Sequence, residues 1–524
     1  METTDILIIG SSISAQLAAS YLRQRLPELS VAVAGPEAER RPIVGESTIS
    51  ITARFMVELG LGDVLVEKHY PKYALTYYYK ERLDDPRDRT YHVSESPFVL
   101  PELSYNLNRF TFDQQVRAYA TRLGAQQIAG RVRDLEVHGA EPKRVMITDA
   151  TGQERTIAAR FLVDASGRSR VVGRKLKLDV PYPTSIAQRS SYWFRLRGFD
   201  RRILAKIHAI KKENRAYDSY YVTHHFMGRG NWIWCIPMRA DDGVDFISVG
   251  ICYRGDLYSK PISDVASFLA AVREEHPVVA EFTESGEVTD EQQYRNYMYD
   301  TRQQYSIDNW FLIGDAARAV DPLYSTGIAS TTIHIQQVAE LIRLANEGRS
   351  SPRIVQDFDA LMRAMQYGSQ ADISALYEVM HDRFQCQSRM HLSSLTFFHL
   401  FAPHVATGQH FSAEDCQAFA RQLGSESRLT REYLELFPLL ERAARAGHLS
   451  AEDYPEVQSA AVFNTEFYAH LRKSEIPRSL RTLWQRFGAF KDHLEGILDS
   501  ARSRLNVADH EPELERALAV RRDQ

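Results

Sequence analysis

The sequence predicts an α/β chain that opens in a parallel-type sheet, is interrupted by a β-rich insertion and ends in helices. Three observations predict it. Short, almost wholly apolar runs, each closed by a turn motif, recur at Asp5–Gly10, Ile157–Val163 and Trp310–Gly314, as in strands buried on both faces. Between about Ser191 and Gly250 the pattern turns to β, and after about Ser350 strand signals nearly vanish. The recurring strands can share one sheet, which makes a nucleotide-type domain discontinuous: 1–185 as its first part, 186–300 as the β-rich insertion, 301–350 as its return, and 351–524 as a helical region.

The elements follow in order. Asp5-Ile-Leu-Ile-Ile-Gly10 is a strand, and Ala15 to Leu26 carries apolar residues at helical spacing until Pro27 stops it. Ser30-Val-Ala-Val-Ala34 is the next strand, completing a βαβ opening of the dinucleotide-binding kind. Thr52 to Leu61 and Phe112 to Leu123 read as helices; Tyr70 to Arg109 is rich in Tyr and charge with little periodicity. Trp232-Ile-Trp-Cys-Ile-Pro237 and Phe246-Ile-Ser-Val-Gly-Ile-Cys252 are strands of the insertion. In the last third, Ser412-Ala-Glu-Asp and Ser450-Ala-Glu-Asp have the pattern of helix starts.

Composition excludes several classes. The chain has 524 residues, 44% hydrophobic and 25% charged, the balance of a globular protein with a large core. A net charge of −4 gives no basic excess for nucleic acid or an anionic membrane surface. The four cysteines, Cys235, Cys252, Cys386 and Cys416, form no CxxC pair, which points away from a disulfide framework and toward a reducing compartment. No secretory signal and no apolar run of about 20 residues is seen, so the expectation is a cytoplasmic protein outside the membrane. The histidines His224, His225, His391, His399, His404 and His410 lack carboxylates at metal spacing, and no metal is expected.

Five short strings carry the first candidate site residues. Gly10-Ser-Ser12-Ile13-Ser14-Ala15 is a GxGxxA-type turn with Ser12 in the second glycine's place, the place where a pyrophosphate approaches bare backbone at a helix N-terminus. The acidic residue that usually closes the second strand is replaced by Ala34-Gly35-Pro36, with Glu37 two residues late. Gly45-Glu46-Ser47-Thr48 precedes a helix and also reads as its N-cap turn. Asp164-Ala-Ser-Gly167 and Gly314-Asp315-Ala-Ala317 each follow a strand, where ligands of open α/β sheets gather. Arg109-x-x-Phe-Asp113 stands between the Gly45 and the Asp164 strings.

That ordered set resembles the FAD-dependent aromatic monooxygenase superfamily, the p-hydroxybenzoate hydroxylase-like group, over about residues 5–345. Within it the chain resembles the phenol- and pyrrole-type flavin-dependent halogenases. The resemblance implies a discontinuous Rossmann-like FAD-binding domain, a mixed β-sheet substrate domain and a C-terminal helical region. It implies that Gly10, Ser12, Ile13, Ser14, Ala15, Glu46, Ser47, Arg109, Asp315, Pro322, Gly327 and Ile328 hold FAD. Gly230-Asn-Trp232-Ile-Trp234-Cys-Ile236-Pro237 matches the family's WxWxIP string, in which two indoles on one strand face wall the substrate off from the flavin; a plain core stripe is the other reading. Lys72, in Tyr70-Pro-Lys72-Tyr-Ala-Leu-Thr-Tyr77, stands where those halogenases place a catalytic lysine, although Ala74 and Tyr77 depart from the family's strand; Lys80 is the competing lysine. In Asp321-Pro322-Leu-Tyr324-Ser325-Thr326-Gly327-Ile328 the resemblance places chloride or bromide at Ser325, Thr326 and Gly327. Tryptophan halogenases carry a glutamate where this chain has Tyr324, which points to an already electron-rich ring such as a phenol.

The implied activity is halogenation of a small aromatic molecule: FADH2, O2 and halide give hypohalous acid, which Lys72 directs onto the ring. No second Gly-rich βαβ unit is present for NAD(P)H, so a separate flavin reductase is the expected partner; the substrate is free or carrier-tethered. An FAD-dependent aromatic hydroxylase, and a flavoprotein scaffold without halogenase activity, are the alternatives. Ser12 and Gly35 keep the second one open, because both loosen the expected grip on the ADP half.

Overall fold

In the computed structural model the opening strand runs Glu2–Ile9, and Ile6, Leu7 and Ile8 are fully buried. The structure describes residues 2–37, 43–95, 103–137, 139, 142–205, 207–210, 217–424, 436, 440 and 472–504. Glu2–Ile9 pairs in parallel with Val31–Gly35 on one side and Glu154–Asp164 on the other. The helix Ile13–Arg25 makes the crossover between Glu2–Ile9 and Val31–Gly35. The full order of this seven-stranded sheet is Gln126–Ala129, Val31–Gly35, Glu2–Ile9, Glu154–Asp164, Lys143–Thr148, Arg131–Glu136. Trp310–Leu312 joins it by pairing in parallel with Leu162–Asp164. The helices Arg109–Arg122 and Gly327–Asn346 pack on Ile13–Arg25. Residues from near the start, near 160 and near 310 therefore meet at one sheet end, as the recurring apolar runs suggest. The ligand crevice of an open α/β sheet lies at this carboxyl end.

The second sheet has eight strands in the order His208–Ile210, Thr90–Ser94, Leu75–Lys80, Thr223–Met227, Asn231–Met238, Phe246–Arg254, Arg189–Arg197, Glu287–Tyr294. Two of these, Leu75–Lys80 and Thr90–Ser94, come from the Tyr-rich segment before residue 109, where no strand periodicity is legible. Leu75–Lys80 is buried nearly throughout, so its sequence does not alternate, and Thr90–Ser94 buries only Tyr91 and Ser94 fully, with its other residues half-buried. One face of the sheet packs Tyr78, Phe194, Phe226, Ile233 and Val249 against the helices Val265–Glu275 and Pro277–Glu284. The other face carries Tyr77, Tyr79, Trp193, Trp232, Trp234 and Ile236 toward Leu376, Tyr377 and Cys386 of the helical region. Gly250 lies opposite Trp234 in the ladder, and a Cβ there would stand 2.2 Å from the indole.

The helical region starts at Pro352–Val379, with Ser351 accepting from the Ile354 amide and Pro352 in the first turn. Arg383–Thr396 follows, capped by Asp382, and Ile476–Arg504 packs back on both it and Phe397–Phe401. Ser412 closes a turn, Cys416 N donating to its carbonyl at 3.0 Å, before a helix at 416–424. Ser450 lies outside the described residues. Leu395, Phe398 and Leu400 pack into the core shared with Ile13–Arg25. No helix among the described residues is long and apolar enough to cross a membrane, and no group of three or more His, Cys, Asp or Glu among them is placed to hold a metal.

Candidate active site

A cavity of about 1520 Å³ opens at the carboxyl end of the first sheet and runs to the inner face of the second. Its outer end is the turn at Gly10. Gly10 has φ +131°, and a Cβ there would stand 2.4 Å from the Ala165 carbonyl oxygen, so only glycine fits where the two strand ends converge. Ser12, Ile13 and Ser14 line the cavity at the start of a 13-residue helix whose first amides have no intrahelical acceptor. Ala15 does not line it; it is fully buried in the core, the close-packing role of the motif's third small residue.

Gly35 is not a missing ribose carboxylate. A Cβ at this position would lie 2.6 Å from the Gly10 carbonyl carbon, so the backbone crossing itself excludes an acid. Glu37, two residues on, lines the cavity and brings a carboxylate there. Arg117, Arg131, Arg133 and Arg168 line it too. These four arginines escape sequence reading because they come from a helix, a strand and a turn with no shared motif.

The middle of the cavity is built by Glu46, Ser47, Arg109 and Asp315. Gly45-Glu-Ser-Thr48 is not a helix cap: Leu107 N donates to the Glu46 carbonyl at 2.7 Å and Thr48 N to the Tyr105 carbonyl at 3.0 Å, so the motif is an extended segment, and Ile49 stands at the N-cap. Glu46 is buried beside Arg195 at 3.5 Å, and its Oε2 has no hydrogen-bond partner among the described residues. Burial raises the Glu46 pKa, with Arg195 opposing. Arg109 makes a two-pronged pair with Asp113 at 2.7 and 3.0 Å and donates to the carbonyls of Val44 and Gly45. Burial works against its charge, yet Asp113 raises its pKa. Asp315 is open to the cavity but set deep in the protein; that setting raises its pKa against Arg168 and Arg109. Asp164, by contrast, accepts from the Ser166 and Val172 amides at 3.0 and 2.7 Å, which folds the turn so that Ser166 and Gly167 reach the wall.

The inner end is the wall. Trp232, Trp234 and Ile236 all line the cavity from one strand face, the two indole centroids 5.6 Å apart. Trp234 Nε1 donates to Ser248 at 3.1 Å and Trp232 Nε1 to the Tyr377 hydroxyl at 2.8 Å. His225, which sequence reading leaves as structural, also lines the cavity, stacked on Tyr77 at 4.8 Å. Burial lowers its pKa to about 3, so the ring is neutral.

Lys72 is not in the cavity lining. It sits one hydrogen bond behind it, 3% exposed, with Nζ donating to Ser47 Oγ at 3.0 Å. Ser47 Oγ is 2.9 Å from Thr223 Oγ1, and both hydroxyl residues line the cavity. Burial lowers the Lys72 pKa to about 7. Lys80 is elsewhere, its amine bound to the Asp85 carbonyl at 2.7 Å.

The last string is a turn and a helix start. Pro322, Ser325, Gly327 and Ile328 line the cavity; Thr326 does not, and stands at the N-cap of Gly327–Asn346. Ser325 has φ +56°, a left-handed conformation that a serine adopts at a cost. Its amide donates to the Pro322 carbonyl at 2.9 Å and closes the turn; the amides of the helix's first turn, as at any helix start, have no intrahelical acceptor.

The tryptophan halogenase family matches residues 73–385. The chain belongs to that family. This halogenase is 27% identical over 428 residues to the flavin-dependent halogenase chlA of Dictyostelium discoideum, covering 76% of this chain and 70% of that one. It is 27% identical over 345 residues to a 1H-pyrrole-2-carbonyl-[peptidyl-carrier protein] chlorinase of Pseudomonas fluorescens, covering 62% and 72%. Halogenase PltM in complex with phloroglucinol and FAD shares the fold with TM-score 0.66 at 16% identity, over 95% of this chain and 96% of that one. The chondrochloren halogenase CndH shares it with TM-score 0.60 at 19% identity, over 82% and 97%. The protein is thus a flavin-dependent oxidoreductase that uses FAD, O2 and halide. The site fits FAD: a glycine crossing without side chains at a helix N-terminus, a deep carboxylate at Asp315 and a Glu46 carboxylate oxygen without a partner among the described residues line one cavity.

Proposed function

We propose that this halogenase transfers chlorine or bromine to an electron-rich, phenolic small molecule, and that Lys72 delivers the oxidised halogen. The observation that carries the reading is the Lys72 amine: buried, held by one hydroxyl of the cavity wall, and neutral in part near pH 7. Bound FAD in its reduced form supplies, with O2, the two-electron oxidation of halide to hypohalous acid. The chain's own residues do the rest. The outer turn, Arg109 and Asp315 bind the flavin, and the amides at Gly327 hold halide beside it. Trp232 and Trp234 keep the ring of the substrate away from the flavin and exclude water. Ser47 and Thr223 bridge the cavity to Lys72, whose neutral amine accepts a hydrogen bond from hypohalous acid or takes up the halogen. The aromatic carbon then forms its bond to halogen as the oxygen–halogen bond breaks, and the ring proton leaves with hydroxide as water; where the amine has first taken up the halogen, that water leaves at the earlier step, the nitrogen–halogen bond breaks and the ring proton returns to the amine.

A phenolic ring is favoured because position 324 offers no carboxylate to activate a weaker one. Tyr324 is pushed well above its ordinary pKa by burial and stays a neutral phenol. The relatives named for carrier-bound pyrrole make a tethered substrate the variant to include. A separate NAD(P)H-dependent reductase supplies FADH2. The four cysteines are free and buried, which supports a cytoplasmic setting. The test is product mass spectrometry with reductase, FAD, each halide, and free and carrier-bound phenols. Lys72→Ala and Lys72→Arg are expected to give no halogenated product while FAD binding and peroxide release persist; Lys80→Ala is expected to keep wild-type yield. Wild-type product from Lys72→Ala overturns the lysine mechanism.

A further inference from the structure

Tyr377 lies outside every motif of the sequence, on the helix Pro352–Val379, and is fully buried. Its hydroxyl accepts from Trp232 Nε1 at 2.8 Å and donates to Asp321 Oδ2 at 2.9 Å. Arg189 places its guanidinium 3.9 Å from the centre of the Tyr377 ring, with Nε 3.2 Å from the same Asp321 oxygen and Nη2 on Ser374 Oγ at 3.0 Å. Asp321 is held further: Oδ1 accepts from the Leu323 amide at 3.1 Å, and its own amide donates to Gln370 at 3.1 Å. Burial raises the phenol's pKa well above its ordinary value, so the hydroxyl keeps the proton it donates.

The indole N–H is the sole polar group of the Trp232 side chain, and Trp232 is part of the cavity wall. Asp321 opens the turn that brings Pro322, Ser325 and Gly327 to the same cavity. One hydroxyl therefore joins two parts of the site that come from different elements. We propose that Tyr377 is a positioning residue: it fixes the tilt of the Trp232 indole against the Asp321–Pro322 turn, so that the wall and the halide-side turn keep one mutual geometry. This rests on the reading of Trp232 as the wall, and not on the role of Lys72.

Tyr377→Phe removes only the hydroxyl and keeps the ring beneath Arg189. Two measurements on the full chain test it. In the flavin-free protein, the indole ¹H–¹⁵N signal of Trp232, one of five tryptophans, is expected to move to the position of a non-hydrogen-bonded indole, with the thermal midpoint recorded alongside. In the reductase-coupled reaction, the ratio of halogenated product to released peroxide is expected to fall about fivefold, the factor that loss of one hydrogen bond corresponds to. FAD affinity is expected to stay at the wild-type value. Trp232→Phe removes the other end of the same bond, so it is expected to lower the ratio too, and the double variant is expected to be no worse than the poorer single. Additive losses, or a Tyr377→Phe ratio at the wild-type value while Trp232→Phe lowers it, overturn the assignment to Tyr377. A wild-type ratio in Trp232→Phe overturns both the wall and the proposal.

Discussion

Lys72→Met separates the energetic cost of the buried amine from its chemistry. The side chains have similar length, and methionine needs no hydration. Burial takes the Lys72 pKa from 10.5 to about 7, so between those values the unfolded chain binds a proton that the folded protein does not. Stability of the wild type therefore rises with pH across this window, and the penalty is fully present below the folded pKa and gone above the unfolded one. At 1.36 kcal/mol for each tenfold change in proton affinity, the full penalty is about 5 kcal/mol, about 4 kcal/mol near pH 7 and about 2 kcal/mol near pH 9. Losing the Ser47 hydrogen bond returns about 1 kcal/mol. Lys72→Met is thus expected to be the more stable protein at pH 7 by about 3 kcal/mol, an advantage that shrinks by about 2 kcal/mol at pH 9. Urea unfolding of both flavin-free proteins at the two pH values measures this. The same variant is expected to make no halogenated product. A variant whose stability parallels the wild type at both pH values means that the amine keeps its charge and its water in the folded state, which refutes the argument for a neutral amine.

Two further outcomes follow from close contacts. Gly250→Ala drives a Cβ to 2.2 Å from the Trp234 ring and 2.6 Å from Trp193 Cβ; it is expected to cost about 1–3 kcal/mol by thermal unfolding and to lower the product-to-peroxide ratio, because the wall indole must shift. Gly35→Asp restores the acid that the nucleotide fingerprint expects, yet its Cβ meets the Gly10 carbonyl carbon at 2.6 Å; FAD titration is expected to show lost binding, and tighter binding refutes the crossing argument.

The sequence by itself determined the class of the first sheet, because strands buried on both faces are apolar throughout and their closing turns carry distinctive small residues. Gly10, Asp164 and Asp315 were legible for that reason, and so was the Trp232–Trp234 face, since a strand's two-residue period fixes which side chains share a side. The strands at 75–80 and 90–94 are not legible: the first is buried on both faces yet rich in Tyr, Thr and Lys, the second is half-buried and mixed, and neither shows alternation or an apolar run. Gly35 reads in the sequence as the place of a missing acid, and only the crossing at Gly10 reveals that no side chain fits there. The place of Lys72 in the chain marks it, but its hydroxyl partner, Ser47, lies on a segment 25 residues earlier. Tyr377, Arg117, Arg131 and His225 reach the cavity or its wall from four different elements. Such residues carry no spacing signal, because their proximity is set by how helices and sheets pack and not by chain order.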